Sequence, residues 1–242
     1  MIRLIKKILI LSQSFLWFYG LLKGVGANIE LLIFIKKIKK VNTLIDIGSN
    51  KGQFILLCLK FFPNLIIYSF EPIKEIFEKQ KNLLRFKKNI YFFNIGIGNK
   101  NKNLNFFVTN RIDSSSFLKI NKFRKHNSEC NKDYFVKEKR KTKIKKLEQI
   151  LKNENLKKPI LTKIDVQGYE LEVLKGAKKI LSKIDYLLVE VSKNRMYNNQ
   201  AIDNEIISFL EKNKFKILKS SKWMKIKNTK FMQRDILFKR IT

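Results

Sequence analysis

From residue 41 onward the chain alternates short apolar runs, each closed by turn-forming residues, with longer stretches whose apolar positions recur at helical spacing. That alternation is the pattern of parallel strands joined by crossover helices. Residues 43–47 read as a first buried strand, stopped by Gly48-Ser49-Asn50-Lys51-Gly52, and residues 53–62 as a helix ended by Pro63-Asn64. Residues 65–70 and 90–94 read as the second and third strands, with a helix over 74–86 between them. Residues 159–165 and 186–191 supply a fourth and a fifth strand, followed by helices over 170–181 and 204–212. Residues 215–218 and 235–239 close the sheet as an antiparallel pair. The expected fold class is α/β, a doubly wound and mostly parallel sheet that takes its ligand at the carboxyl ends of the strands.

The rhythm breaks twice. Residues 99–103 form a polar turn and 104–108 alternate like an added strand or hairpin, after which 109–146 run long, polar and weakly periodic. An insertion of that length inside a compact domain is usually functional or disordered. Before the domain stands an apolar and basic extension, residues 1–40, expected to be helical: Arg3, Lys6 and Lys7 precede an uncharged stretch of about 15 residues that carries Trp17 and Tyr19. It is interrupted by Ser12, Gln13 and Ser14 and is short for a membrane span of ~20 residues. Three readings stay open for it: a helix packed on the domain or capping its cleft, an interfacial membrane helix, and a signal or anchor. The organisation is therefore an extension over 1–40 and one domain over 41–242.

Composition narrows the partners. Of 242 residues 45% are hydrophobic and 12% aromatic, enough for a full core, while 52 Lys+Arg against 20 Asp+Glu leave a net charge of +32. Such a charge suits nucleic acid or an anionic membrane, but the lysines are spread over nearly every segment, as expected of a solvated face. Two cysteines, Cys58 and Cys130, and a single histidine, His126, leave no disulfide framework, no cysteine-ligated zinc and no constellation needing two imidazoles. A reducing compartment is the default.

Four strand ends carry acids. Asp46 precedes the glycine turn at Gly48 and Gly52, where neither GxGxxG nor a P-loop occurs. An acid there repels a pyrophosphate and could receive a cationic amine, which favours an amino-acid-bearing nucleoside. Nineteen residues beyond Gly52, Glu71 ends the second strand, a position from which a carboxylate accepts both ribose hydroxyls; the plainer role is a helix amino-terminal acid. Asp165 and Glu190 end the fourth and fifth strands, with helix capping and buried structural acid as their respective plainer roles.

Together, Asp46-Ile-Gly48-Ser-Asn50-Lys-Gly52, Phe70-Glu71-Pro72, Ile95-Gly96-Ile97-Gly98, Lys163-Ile-Asp165-Val-Gln-Gly168-Tyr-Glu170, Leu174-Lys-Gly176-Ala177 and Val189-Glu190-Val191 resemble the FkbM-type S-adenosylmethionine-dependent methyltransferases over about residues 41–240. The resemblance implies a Rossmann-like, seven-stranded methyltransferase sheet with S-adenosyl-L-methionine as cofactor. Gly48, Asn50 and Gln53 would line its methionine and ribose portion, Glu71 would hold the ribose, and Gly96 and Ile97 would border the adenine. Asp165 would face the sulfonium and the acceptor. The family often has Glu where Gln167 stands, which removes a carboxylate beside the reaction centre.

The activity implied is O-methyl transfer to a hydroxyl of a sugar, glycolipid or envelope saccharide, with Asp165 as first candidate base and Glu190 as second. A divalent cation shared by these carboxylates is left open. Asp113-Ser114-Ser115-Ser116-Phe117 reads as a turn or as a contact to sugar hydroxyls, and His126 as a solvated loop residue before a base on a lid. Two rivals remain. An RNA methyltransferase suits the basic surface, although base methylation commonly uses an Asn/Asp-Pro-Pro-aromatic run where this chain has Asp165-Val-Gln-Gly168; a catalytically silent, membrane-associated binding protein would explain Gln167. The cofactor's supply places the protein in the cytoplasm, with any membrane contact peripheral and on the inner face.

Overall fold

The structure, a computed structural model, describes residues 9–12, 14–121 and 134–241. His126 and Cys130 lie outside them. Helices α1 (Phe15–Leu22) and α2 (Leu32–Ile35) precede β1 (Thr43–Ile47), α3 (Gln53–Phe61), β2 (Ile66–Phe70), α4 (Lys74–Leu84) and β3 (Ile90–Phe93). Strands β4 (Gly96–Ile97), β5 (Lys102–Thr109) and β6 (Val136–Lys145) form a separate three-stranded sheet. The chain then adds α5 (Leu147–Ile150), β7 (Ile160–Ile164), α6 (Glu170–Gly176), β8 (Tyr186–Ser192) and α7 (Asp203–Lys212), and ends in β9 (Phe215–Ser220), β10 (Met224–Lys225) and β11 (Met232–Arg240).

The main sheet runs β3-β2-β1-β7-β8-β11, with β9 and β10 both paired antiparallel to β11. It has eight strands where seven are expected, the addition being the two-residue β10. Strands β1, β2, β3, β7 and β8 are parallel, so the chain winds outward from β1 in one direction and from β7 in the other. A crevice opens where the winding reverses. All five residues of β1 and of β7 are buried, as strands covered on both faces must be.

Helix α3 explains the amino-terminal extension. It buries six consecutive residues, Phe54 to Leu59, and a helix apolar all round needs a cover on each side. One side meets the sheet; the other is covered by the extension, where Trp17 is buried and its indole N–H donates to the Leu56 carbonyl at 2.8 Å. Leu11, Phe34 and Ile35 join the same core, each fully buried side chain of this kind being worth roughly 1.5–3 kcal/mol. The opposite flank of α1 leaves Phe15 87% and Leu22 69% exposed. Among the described residues no helix is long and apolar enough to cross a membrane.

The segment expected as a featureless insertion over 109–146 instead forms ten-residue β6, antiparallel to β5. Its even-numbered side faces the body: Ile144 is buried, and Arg140 bridges Glu75 at 2.7 Å and Glu138 at 2.8 Å. Phe106 and Val108 of β5 pack on Ile73 and Ile76 at the start of α4. Only one face of β6 meets the core, through few apolar residues, so the sequence shows weak alternation. The helix expected over 170–181 stops at Gly176 and resumes as a 3-10 turn at Leu181–Lys183.

Gly176 ends α6 against the turn that leads from β4: a Cβ built there would lie 1.9 Å from the Gly98 carbonyl oxygen. Gly176→Ala is expected to cost about 1–3 kcal/mol, read as a lower urea midpoint. An unchanged midpoint would show that the turn at residue 98 yields freely.

Candidate functional site

The turn after β1 is built for close approach of two strand ends. Gly48 has φ +78°, and a Cβ there would stand 1.9 Å from the Asp165 carbonyl oxygen, so only glycine fits between the ends of β1 and β7. The Gly48 and Ser49 N–H groups donate to the Phe70 carbonyl at 3.0 and 3.1 Å, which fastens the turn to the end of β2. Glu71 follows directly. Its carboxylate accepts the N–H of Asn50 and of Ile73, both at 2.9 Å. Burial outweighs these two bonds and pushes its pKa up to about 7.

Asp46, one residue from the turn, points elsewhere. It is wholly buried, does not line the cavity, and neither carboxylate oxygen has a hydrogen-bond partner. It stands in register with Lys163 across the β1–β7 pair, on the same face of the sheet. Burial raises its pKa to about 6 although Lys163 pulls it down. Gly52 also turns away, closing as the left-handed amino cap of α3 against Gln80 and Leu84 of α4.

Lys163 is the residue that motif reading passes over. An almost fully buried ammonium in a core strand, it bonds Asp165 Oδ2 at 2.9 Å and lies 5.7 Å from the centre of the Phe54 ring. Burial opposes its charge, but Asp165, Asp46 and Asp235 together hold it above the ordinary lysine range. A lysine amid Ile160-Leu161-Thr162 and Ile164 was the available signal.

Asp165 keeps 30% of its side-chain surface open. Burial alone would raise its carboxyl, yet the Lys163 ammonium and the Gln167 amide hold it below the usual range. Gln167, with φ +56°, donates from Nε2 to Asp165 Oδ1 at 2.9 Å and to Glu190 Oε2 at 3.0 Å. The Tyr197 hydroxyl lies 3.3 Å from the side-chain carbonyl of Gln167 and makes its shorter bond, 2.9 Å, to the Ser114 carbonyl. Glu190 is driven the other way, well above the carboxylate range, by burial and then by Asp165, Asp235 and Glu170. One amide thus bridges two carboxyl groups whose pKa values are driven in opposite directions. The turn that carries Gln167 is clasped by Glu170, whose carboxylate accepts the N–H groups of Val166 and Gly168 at 3.2 and 2.9 Å.

These strand ends open into one cavity of about 430 Å³. It gathers Gly48, Asn50, Gln53, Glu71, Gly96, Ile97, Asp165 and Glu190 from the expected site residues, and leaves out Asp46 and Gly52. Its apolar walls are Ile73, Ile95, Ile97 and Phe106, and Asp113, Ser114 and Ser115 form a polar wall. The cations Arg111, Lys225 and Lys227 also line it. Asn28 reaches the cavity from the amino-terminal extension, and its N–H donates to the Gln53 carbonyl at 3.2 Å. Among the described residues no three His, Cys, Asp or Glu side chains converge as metal ligands. The residues fit a nucleoside with a cationic tail: Glu71 spends one lone pair per oxygen on backbone and keeps others for a diol, the isoleucines suit a flat ring, and Asp165 is anionic.

A family model described as the methyltransferase FkbM domain matches residues 46–217. The chain is 24% identical over 183 residues to the hexuronic acid methyltransferase AglP of Haloferax volcanii, covering 74% of this chain and 67% of that protein. Among solved structures, a fibrillarin/Nop5p complex aligns with 88% of this chain and 81% of its own at 16% identity and a TM-score of 0.48. The magnesium protoporphyrin IX methyltransferase of Synechocystis PCC 6803 aligns over 98% and 83% at 10% identity and 0.46.

The buried acids set a pH dependence. Glu71 and Glu170 titrate at about 7 in the folded chain against an ordinary 4.5, and Asp46 at about 6 against 3.8. Between those limits the folded chain holds more protons than the unfolded one, so stability is greatest below pH 4.5 for these groups and falls as pH rises through 7. The unfolding free energy is expected to decline from pH 5 to 7.5 by roughly 1–3 kcal/mol per acid, read as a falling urea midpoint, and Glu170→Gln to flatten the slope. A midpoint that climbs over this range would contradict the assignment.

Proposed function

Because this chain belongs to the FkbM methyltransferase family, whose methyl donor is S-adenosylmethionine, we propose that it methylates a hydroxyl of an acidic saccharide in the cavity at the ends of β1, β2 and β7. The observation that carries the reading is that Glu71 and Asp165 line one cavity that has both an apolar wall and a polar, cationic one.

When bound, the cofactor supplies an electrophilic methyl group on a sulfonium. Glu71 would hold the ribose hydroxyls with the lone pairs its backbone bonds leave free. Gln53 and Asn50 would border the same portion, and Ile95, Gly96 and Ile97 the adenine. Asp165, ionised at neutral pH, would accept the hydrogen bond of the acceptor hydroxyl, fix its oxygen in line for displacement and take its proton as the ether bond forms. Glu190, already protonated, leaves the pair a single negative charge for that proton. Gln167 holds both carboxyls in place through its amide, so its presence where relatives often carry an acid is compatible with turnover.

An acidic acceptor is supported by Arg111, Lys225 and Lys227 along the cavity and by the relative named as a hexuronic acid methyltransferase. Asp113, Ser114 and Ser115 would meet sugar hydroxyls. A cytosolic location follows from where the methyl donor is made.

Methyl transfer from labelled donor should reach oligosaccharides ending in glucuronic or galacturonic acid ahead of neutral counterparts and of total RNA; label in RNA alone would overturn the reading. S-Adenosylhomocysteine affinity should rise with pH through about 7 as Glu71 ionises, and Glu71→Gln should abolish that dependence and weaken binding about 10- to 100-fold by calorimetry. Asp165→Asn should lower kcat by roughly 10² to 10⁴ while binding S-adenosylhomocysteine within a few-fold of the parent.

A further inference from the structure

Strand β6 carries a second feature, on the face turned away from the core. Its odd-numbered positions are Lys137, Lys139, Lys141, Lys143 and Lys145, of which the first four are exposed and the last partly so. Side chains two apart on a strand share a face, so Lys139, Lys141, Lys143 and Lys145 form a row with a repeat of ~6.8 Å over ~20 Å, and Lys137, at the bulge where the pairing skips from Glu138 to Val136, stands at its end. The neighbouring positions of β5 on that face are Asn103 opposite Lys143, Asn105 opposite Lys141 and Phe107 opposite Lys139. The two acids nearest in sequence and space, Glu138 and Glu75, are on the other side, occupied by Arg140. Among the described residues no carboxylate lies within ion-pair distance of any of the five lysines.

We infer that this lysine row is a binding rail for a polyanionic glycan, the chain whose terminal residue occupies the cavity. The inference rests on the saccharide reading above and extends it from one sugar to a polymer. The rail starts beside the site: Tyr134 lines the cavity, and only two residues, with at most ~11 Å of chain, separate it from Lys137. Five like charges held on a rigid strand without acids repel one another, and a regularly charged polyanion relieves that repulsion while releasing its own counterions. A glycan is favoured over nucleic acid by the company the lysines keep. Asn103 and Asn105 offer amides for hydroxyl groups, whereas single-stranded nucleic acid is held by successive stacking aromatics, and apart from Phe107 and the exposed Phe135 before the strand the row is lined by asparagines.

The test compares the full-length protein with two triple variants of equal net charge. One is Lys137→Gln/Lys139→Gln/Lys141→Gln on the rail; the other is Lys212→Gln/Lys216→Gln/Lys219→Gln, exposed positions on α7 and β9, outside the three-stranded sheet that holds β6. Each is titrated with polygalacturonate, dextran and poly(U) at several salt concentrations, and with S-adenosylhomocysteine to establish an intact cofactor site. Polygalacturonate binding is expected to fall at least tenfold, with a shallower salt dependence, in the rail variant alone, and dextran is expected not to bind. Equal losses in both variants, or none in either, would overturn the rail. Tighter binding of poly(U) than of polygalacturonate, lost on the rail substitutions, would replace the glycan with nucleic acid. Failure of the parent protein to bind S-adenosylhomocysteine would instead overturn the reading of the cavity, whatever the rail does.

Discussion

One buried ammonium holds the site together. Asp46 and Asp165 project from the neighbouring core strands β1 and β7, where two carboxylates without a counter-ion would cost several kcal/mol each to desolvate. Lys163 stands in register with Asp46 and within hydrogen-bond distance of Asp165, so it stabilises both. It also separates their fates. Asp165 is bonded, open to the cavity and anionic; Asp46 is sealed below it, unbonded and raised toward neutrality. The charge available to a ligand is therefore concentrated at the strand end rather than spread through the sheet.

The second device is the Gln167 amide. Two carboxyl groups facing one cavity would repel each other if both were ionised, and the amide answers this by donating to both while burial and its acidic neighbours push the Glu190 pKa up. Those two donated bonds fix the amide's orientation, and Glu170 clasps the turn that carries it. A second carboxylate at position 167 would need an additional proton or cation to sit there. The substitution that looks like a loss in sequence is consistent with a site poised around a single negative charge.

How much of this was legible depends on which signal each part leaves in the chain. Strand ends announce themselves through turn residues, so Gly48, Glu71, Asp165 and Glu190 could be located and do share a cavity. The direction of Asp46 could not be read, because a strand buried on both faces has no polar alternation to show which side a residue takes. Lys163 was hidden in a motif valued for its neighbours. Strand β6 was hidden by its own lysines, since a strand that buries little more than Ile144 carries almost no apolar period. The place of α1 was implied by the six consecutive buried positions of α3, but only as a need for some cover, with no indication of which segment would provide it.

The cover it does provide changes where the functional unit begins. The family match opens at residue 46, yet Trp17 grips the Leu56 carbonyl, Asn28 bonds the Gln53 carbonyl, and Asn28 itself forms part of the cavity wall. Whatever perturbs the extension is transmitted through α3 to the glycine turn that precedes it. Grafting the 46–217 core onto a relative, or exchanging cores to transplant specificity, would carry over the floor of the pocket and discard one of its sides. Residues 14–40 and the turn after β1 are a matched pair, to be moved together.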